Sequence, residues 1–216
     1  MHKMIGLIKE LGLQLTSACL AVILAPLGII SSGCAVGPLV SHETARTVGN
    51  SNHEIVGGYG QAGYAFKWNY GVSENLDIGL HWESLSIGAR IKYAFINSKD
   101  SWSLAAALGT GSSVGGSHNY LDIITSTMAG SWEPYATARL VKVKTDPLEF
   151  RNKDTGQVDF TISSAEYDYG QALLGTRYWF NANWLFSLEA SSLFAINDSV
   201  KFGSNVLVGA ALGYRF

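Results

Sequence analysis

Cysteine is nearly absent from this chain: the only two, Cys19 and Cys34, fall within its first thirty-four residues. Cys19 lies inside an apolar run, so if that run is removed the remainder keeps one thiol and no disulfide can form within a molecule. Proline is limited to Pro26, Pro38, Pro134 and Pro147 while glycine reaches 24, a balance that disfavours long helices without forbidding strands. Charge is also scarce, at 15% of residues with a formal net value of −2. That leaves no basic stripe of the kind that tracks a phosphate backbone, which excludes nucleic acid as a partner. What is present is 47% hydrophobic and 12% aromatic residues, too apolar for disorder and suited to β surfaces or a membrane interface.

The N-terminus reads as an address. Lys3 and Lys9 precede an apolar stretch, Leu15 to Ile30, broken only by Thr16, Ser17 and Gly28 and interrupted by Pro26. It is too short for a membrane-spanning helix and leads into small residues, Ser31-Ser32-Gly33-Cys34, instead of a basic stop-transfer flank. Ser32-Gly33-Cys34 resembles the lipobox of bacterial lipoproteins, although Ser31 stands where that pattern usually has Leu, Val or Ile. The resemblance implies removal of residues 1–33. It also implies a covalent diacylglycerol and N-acyl lipid on Cys34, and passage through export and lipoprotein-processing machinery. Residues 34–52, polar and irregular, are expected to be the lipidated N-terminus and a periplasmic tether.

From residue 53 to 216 the pattern has period 2. Leu85, Ile87, Ala89, Ile91, Tyr93 and Phe95 alternate with Ser86, Gly88, Arg90, Lys92 and Ala94, and the last strand sets Val206, Val208, Ala210, Leu212, Tyr214 and Phe216 against Asn205, Leu207, Gly209, Ala211, Gly213 and Arg215, with Leu207 an exception on the polar face. Strands are expected at 53–60, 62–71, 75–83, 85–96, 101–110, 119–128, 134–144, 165–180, 184–196 and 205–216. The first two strands could merge across Gln61-Ala62-Gly63, and in 134–144 Val141 and Val143 break the alternation. The fold class is all-β: a closed antiparallel transmembrane β-barrel of about ten strands, with eight as the alternative.

Alternation alone does not say which face points in. The oily faces carry large rings at strand ends, Tyr70, Phe95, Trp102, Phe180, Trp184 and Phe216 near one rim and Tyr59, Tyr64 and Trp82 near the other, which read as interfacial girdles. The opposite faces carry small residues and charges of both signs, Lys67, Asp77, Glu83, Arg90, Lys92, Arg139, Arg177, Glu189 and Arg215, expected to be paired within a narrow lumen. Tyr214-Arg215-Phe216 resembles the C-terminal signature read by the barrel-assembly machinery of Gram-negative outer membranes. The resemblance implies Tyr214 and Phe216 as the assembly signal and an outer-membrane location. A soluble, lipocalin-like barrel is the competing reading, and it would turn these faces inside out.

On this reading the protein is lipid-anchored, with both termini periplasmic. Short turns fall on the periplasmic side and longer connections, 111–118, 145–164 and 197–204, on the other. Loop 145–164, with Asp146, Glu149, Arg151, Lys153, Asp154 and Asp159, is the candidate contact for an extracellular partner. The expected role is structural or surface-interacting, without catalysis. A narrow pore for ions or small solutes is the alternative, and a lipid- or peptide-hydrolysing enzyme a second one. For the enzyme, His81, Glu83 and Ser84, or His118, Tyr120 and Asp122, would be the candidates, but their spacing matches no lipase, omptin-type or deacylase motif. No metal is expected, because His42, His53, His81 and His118 are scattered.

Overall fold

The computed structural model describes residues 37–113, 115–151, 158–196 and 206–216. The signal segment, the lipidation position Cys34 and the connection 197–204 therefore lie outside the described residues. Ten strands close into one antiparallel barrel: β1 (His53–Gly60), β2 (Gly63–Ser73), β3 (Leu76–Glu83), β4 (Ser86–Ile96), β5 (Trp102–Ser113), β6 (Gly116–Thr127), β7 (Trp132–Thr145), β10 (Glu166–Trp179), β11 (Trp184–Ala195) and β12 (Val206–Arg215). Between β7 and β10 a separate two-stranded sheet pairs β8 (Leu148–Arg151) with β9 (Val158–Ile162). Closure joins β1 to β12 from Glu54↔Arg215 to Gly60↔Gly209, and His53 and Phe216 exchange backbone hydrogen bonds of 2.7 and 2.9 Å beyond it.

The period-2 pattern sets which face meets which medium. Ile87, Ile91, Leu108, Leu140, Leu174, Val208 and Leu212 all project from the outside of the tube, whereas Arg90, Lys92, Arg139 and Arg177 are buried inside it. In water that outer belt would be costly at ~25 cal/mol per Å² of apolar surface; in hydrocarbon it costs nothing, and closure leaves no strand edge unpaired. Among the described residues no helix is long and apolar enough to cross a membrane. Rings mark the two ends of the belt: Phe95, Trp102, Phe180, Trp184 and Phe216 near the rim that holds the C-terminus, and Tyr59, Tyr64 and Trp82 near the far rim. Tyr70 lies at the level of the C-terminal rim, tilted against His53 with 4.8 Å between ring centroids.

Every connection at the C-terminal rim is short, at 74–75, 97–101, 128–131 and 180–183. At the far rim, three connections are tight and the one between β7 and β10 is long enough to hold the β8–β9 hairpin. Two expectations are corrected here. The 111–118 region is not a loop, because β5 runs on to Ser113 and pairs with β6 from Gly116, with Gly115 taking the positive φ of 76° that the turn requires. The irregular residues before β1 are not a tether outside the barrel: residues 37–48 run through the lumen.

Val141 and Val143 break the alternation for a local reason. They face inward, and with Tyr120, Tyr167 and Tyr169 they form an apolar cluster in the lumen near the far rim. Their neighbours Lys142 and Glu166 lie on the outer face as an exposed ion pair at 3.4 Å, where the wall rises toward the far rim.

Candidate functional site

The lumen is where charged side chains and a second piece of chain meet. Residues 37–48 have the composition of an irregular peptide, so their backbone N–H and C=O groups have no sheet partner and need other ones. Lumen side chains supply them in order of depth. Near the far rim the Leu39 amide donates to Glu83 Oε2 at 2.7 Å, and Arg139 Nη1 donates to the Pro38 carbonyl at 2.8 Å. Deeper, Lys67 Nζ donates to the carbonyls of Val40 and Ser41 at 3.2 and 2.6 Å. Opposite it, the Glu189 carboxylate accepts from the amides of Ser41 and His42 at 2.7 and 2.6 Å. Arg177 Nε donates to the His42 carbonyl at 3.1 Å.

Toward the C-terminal rim the segment contributes charges of its own. Glu43 pairs with Arg90 and, at 3.1 Å, with Lys92. Arg46 makes a bidentate contact to Glu133 with both hydrogen bonds at 2.7 Å. The Val48 amide donates to Asp77, whose carboxylate also holds Lys92 at 3.0 Å. The chain then turns through Gly49 (φ 88°) and Ser51 (φ 62°) into β1, and Gly71 allows that turn because a side chain there would strike the Gly49 carbonyl.

The remaining lumen charges pair across the wall. Arg139 meets Asp122 in a bidentate contact at 2.7 and 2.8 Å, and Arg177 and Arg215 both reach Glu54, at 3.0 and 2.6 Å. Arg215 also lies over the Trp179 ring, 4.7 Å from its centroid. Thus the structure places Lys67, Asp77, Glu83, Arg90, Lys92, Arg139, Arg177 and Glu189 inside, with Arg215 partly buried at the C-terminal rim. Tyr214 stays on the outer face beside Trp184 and Phe216.

Sequence reasoning missed Glu43, Arg46, Glu54, Asp122 and Glu133 as members of this network. Glu54 stood at a strand start, Glu133 in the turn before the strand expected at 134–144, Asp122 was weighed only for catalysis, and Glu43 and Arg46 sat in a segment read as tether. A signal existed: the chosen lumen set held more cations than carboxylates, so further carboxylates had to complete it.

The residues considered for catalysis lie in and beside the far-rim ends of β3 and β6. Ser84 Oγ is engaged by the Tyr64 amide at 3.0 Å in a rim turn, while His81 is buried in the lumen. Asp122 is held by Arg139, and His118 stacks on Tyr120 with centroids 6.3 Å apart. No group of three metal-ligating side chains occurs among the described residues.

No family model and no curated protein matches the chain. Among solved structures it is similar to the N-terminal β-barrel domain of Pseudomonas aeruginosa OprF, at 15% identity and a TM-score of 0.38 over 76% of this chain and 96% of that one. It is similar also to the NanC porin, at 13% identity and 0.47 over 76% and 98%, and to the Yersinia pestis outer membrane protein Ail, at 14% and 0.34 over 77% and 100%. These likenesses are too distant to carry function. The closed antiparallel tube with its apolar belt and ringed ends is by itself an outer-membrane type of β-barrel.

Proposed function

We propose that this protein is an outer-membrane barrel lipoprotein with a structural or surface-interaction role, sealed by its own N-terminal segment and without catalytic activity. The observation that carries the reading is the threaded segment. Its backbone is held by Glu83, Lys67, Glu189 and Arg139 from four different strands, which puts a fixed peptide in the space that a solute would have to cross. A ten-stranded tube is narrow enough for side chains to fill most of it, and one extended peptide takes up the rest. The β8–β9 pair in the long connection between β7 and β10 supports assigning the partner contact to that connection, since recognition commonly sits on long loops carried by a rigid scaffold. The engagement of Ser84 and Asp122 by other groups speaks against hydrolysis.

Planar-bilayer recording tests this against the narrow-pore reading. Wild-type protein is expected to give no steady conductance, and a variant in which Cys34 is joined directly to Val48 is expected to open one while keeping heat-modifiable gel mobility. Equal, steady conductance from both would return the protein to the pore class.

A further inference from the structure

The direction of the threaded segment bears on where the mature N-terminus emerges. Gly37 sits against His118, Val141 and Tyr169, and a side chain added to it would come within 3.1 Å of the Tyr169 hydroxyl. All three belong to the far-rim halves of β6, β7 and β10. Leu39 bonds Glu83, the last residue of β3, beside the tight turn that leads into β4. At the other end Thr47 Oγ1 donates to the Glu74 carbonyl at 2.6 Å, in a turn of the rim that also holds the His53–Phe216 closure. The segment therefore crosses the lumen once, from the far rim at Gly37 to the C-terminal rim at Val48, and does not double back.

We propose that the chain enters the barrel from the face opposite its C-terminus, so that the lipid on Cys34 anchors the protein in the outer leaflet at the cell surface. This rests on the lipidation and outer-membrane reading above, and it replaces the expectation that both termini are periplasmic. The covalent argument is short. Three peptide units separate Cys34 from Gly37 and span at most about 11 Å. A lipid so close to the far rim cannot reach the C-terminal side, because residues 38–48 and the side chains bonded to them already occupy the lumen. The far rim is low over β1–β4, where tight turns follow Gly60 and Glu83, and Tyr59, Tyr64 and Trp82 are exposed on the outer face there. Acyl chains passing over this edge meet an interfacial girdle. With the lumen filled by segment contacts, the strands must close around residues 37–48 during assembly, since an acylated terminus could not be threaded through the finished tube.

The test is epitope accessibility in the full-length protein on intact and permeabilised cells. One epitope is placed between Ala35 and Val36. Reference epitopes go between Ala182 and Asn183 on the C-terminal rim and between Gly115 and Gly116 on the far rim. Expected is equal antibody binding to the 35/36 and 115/116 epitopes before and after permeabilisation, with the 182/183 epitope bound only after it. If the 35/36 epitope behaves like the 182/183 one, the inference is overturned. If the 182/183 epitope is exposed and the other two are hidden, the barrel orientation is wrong and the surface-leaflet claim falls, while the opposite-side relation stands. Labelling with radioactive palmitate, lost in Cys34→Ala, checks the anchor separately; an unlabelled wild type removes the lipid from the proposal.

Discussion

The two halves of the lumen are built differently. Toward the C-terminal rim, charges are saturated: Glu54 serves Arg177 and Arg215, Glu133 serves Arg46 and accepts from Trp179 Nε1 at 3.0 Å, and Asp77 and Glu43 share Lys92. Toward the far rim, the wall is lined by Tyr120, Tyr167, Tyr169, Val141 and Val143, and both ring nitrogens of His81 and of His118 lack a hydrogen-bond partner among the described residues. The first half fixes the segment by cross-linked charge, where each ion is costly unless paired. The second holds the segment through Glu83 and Arg139 and fills the remaining space with rings, the imidazole nitrogens being buried among them. A charge-saturated foundation thus lies at the end that holds the His53–Phe216 closure, and an entrance filled out by rings at the end where the segment comes in.

The largest effect expected on this contrast is at Glu54. It is 1% exposed and meets two guanidinium groups, so Glu54→Ala strands Arg177, itself 2% exposed, and loosens the β1–β12 seam. Breaking a buried pair by removing one partner costs about 3–5 kcal/mol. Thermal unfolding in detergent, followed by loss of heat-modifiable mobility, should show the fall. A smaller effect is expected for Glu133→Gln. The amide keeps the volume and one acceptor oxygen but loses the charge facing Arg46, whose side chain is 15% exposed and can recover some hydration. A loss of about 1.5–3 kcal/mol is expected from the same melts. Should Glu133→Gln prove costlier than Glu54→Ala, the seam would not be the mainstay of this half.

The barrel itself was legible because each strand sits between two media, and period-2 alternation is the direct trace of that. Leu85 to Phe95 and Val206 to Phe216 could be assigned by face without coordinates, and ten strand positions follow. The β8–β9 pair, Leu148–Arg151 with Val158–Ile162, left no such trace, since it forms a sheet separate from the barrel wall. The threaded segment was the larger omission. Pro38-Leu39-Val40-Ser41-His42-Glu43-Thr44-Ala45 has no periodicity, because its placement is set by side chains reaching to its backbone from other strands, and a backbone acceptor looks the same in every sequence. Its charges, Glu43 and Arg46, could be located only once Lys92 and Glu133 were known to lie opposite.

The smallest effect separates the halves most cleanly. His81 and His118 lie at the two ends of one cross-strand row, His81↔Gly88 and Gly111↔His118, and the two glycines leave room for the imidazoles: a side chain on Gly111 would come within 2.7 Å of His118 Nε2. The rings touch each other at 6.0 Å between centroids and flank Tyr120. Replacing His118 by Phe keeps the ring and its aromatic contacts and removes no hydrogen bond to protein, while taking two polar atoms out of a buried site. His118→Phe is therefore expected to change stability by less than about 1 kcal/mol, in either direction, in the melts that report Glu54→Ala. A loss as large as that of Glu54→Ala would mean that the imidazole nitrogens belong to the same polar network through which Glu83 and Arg139 hold the segment, and the division of the lumen into a charge-saturated foundation and an entrance filled out by rings would have to be given up.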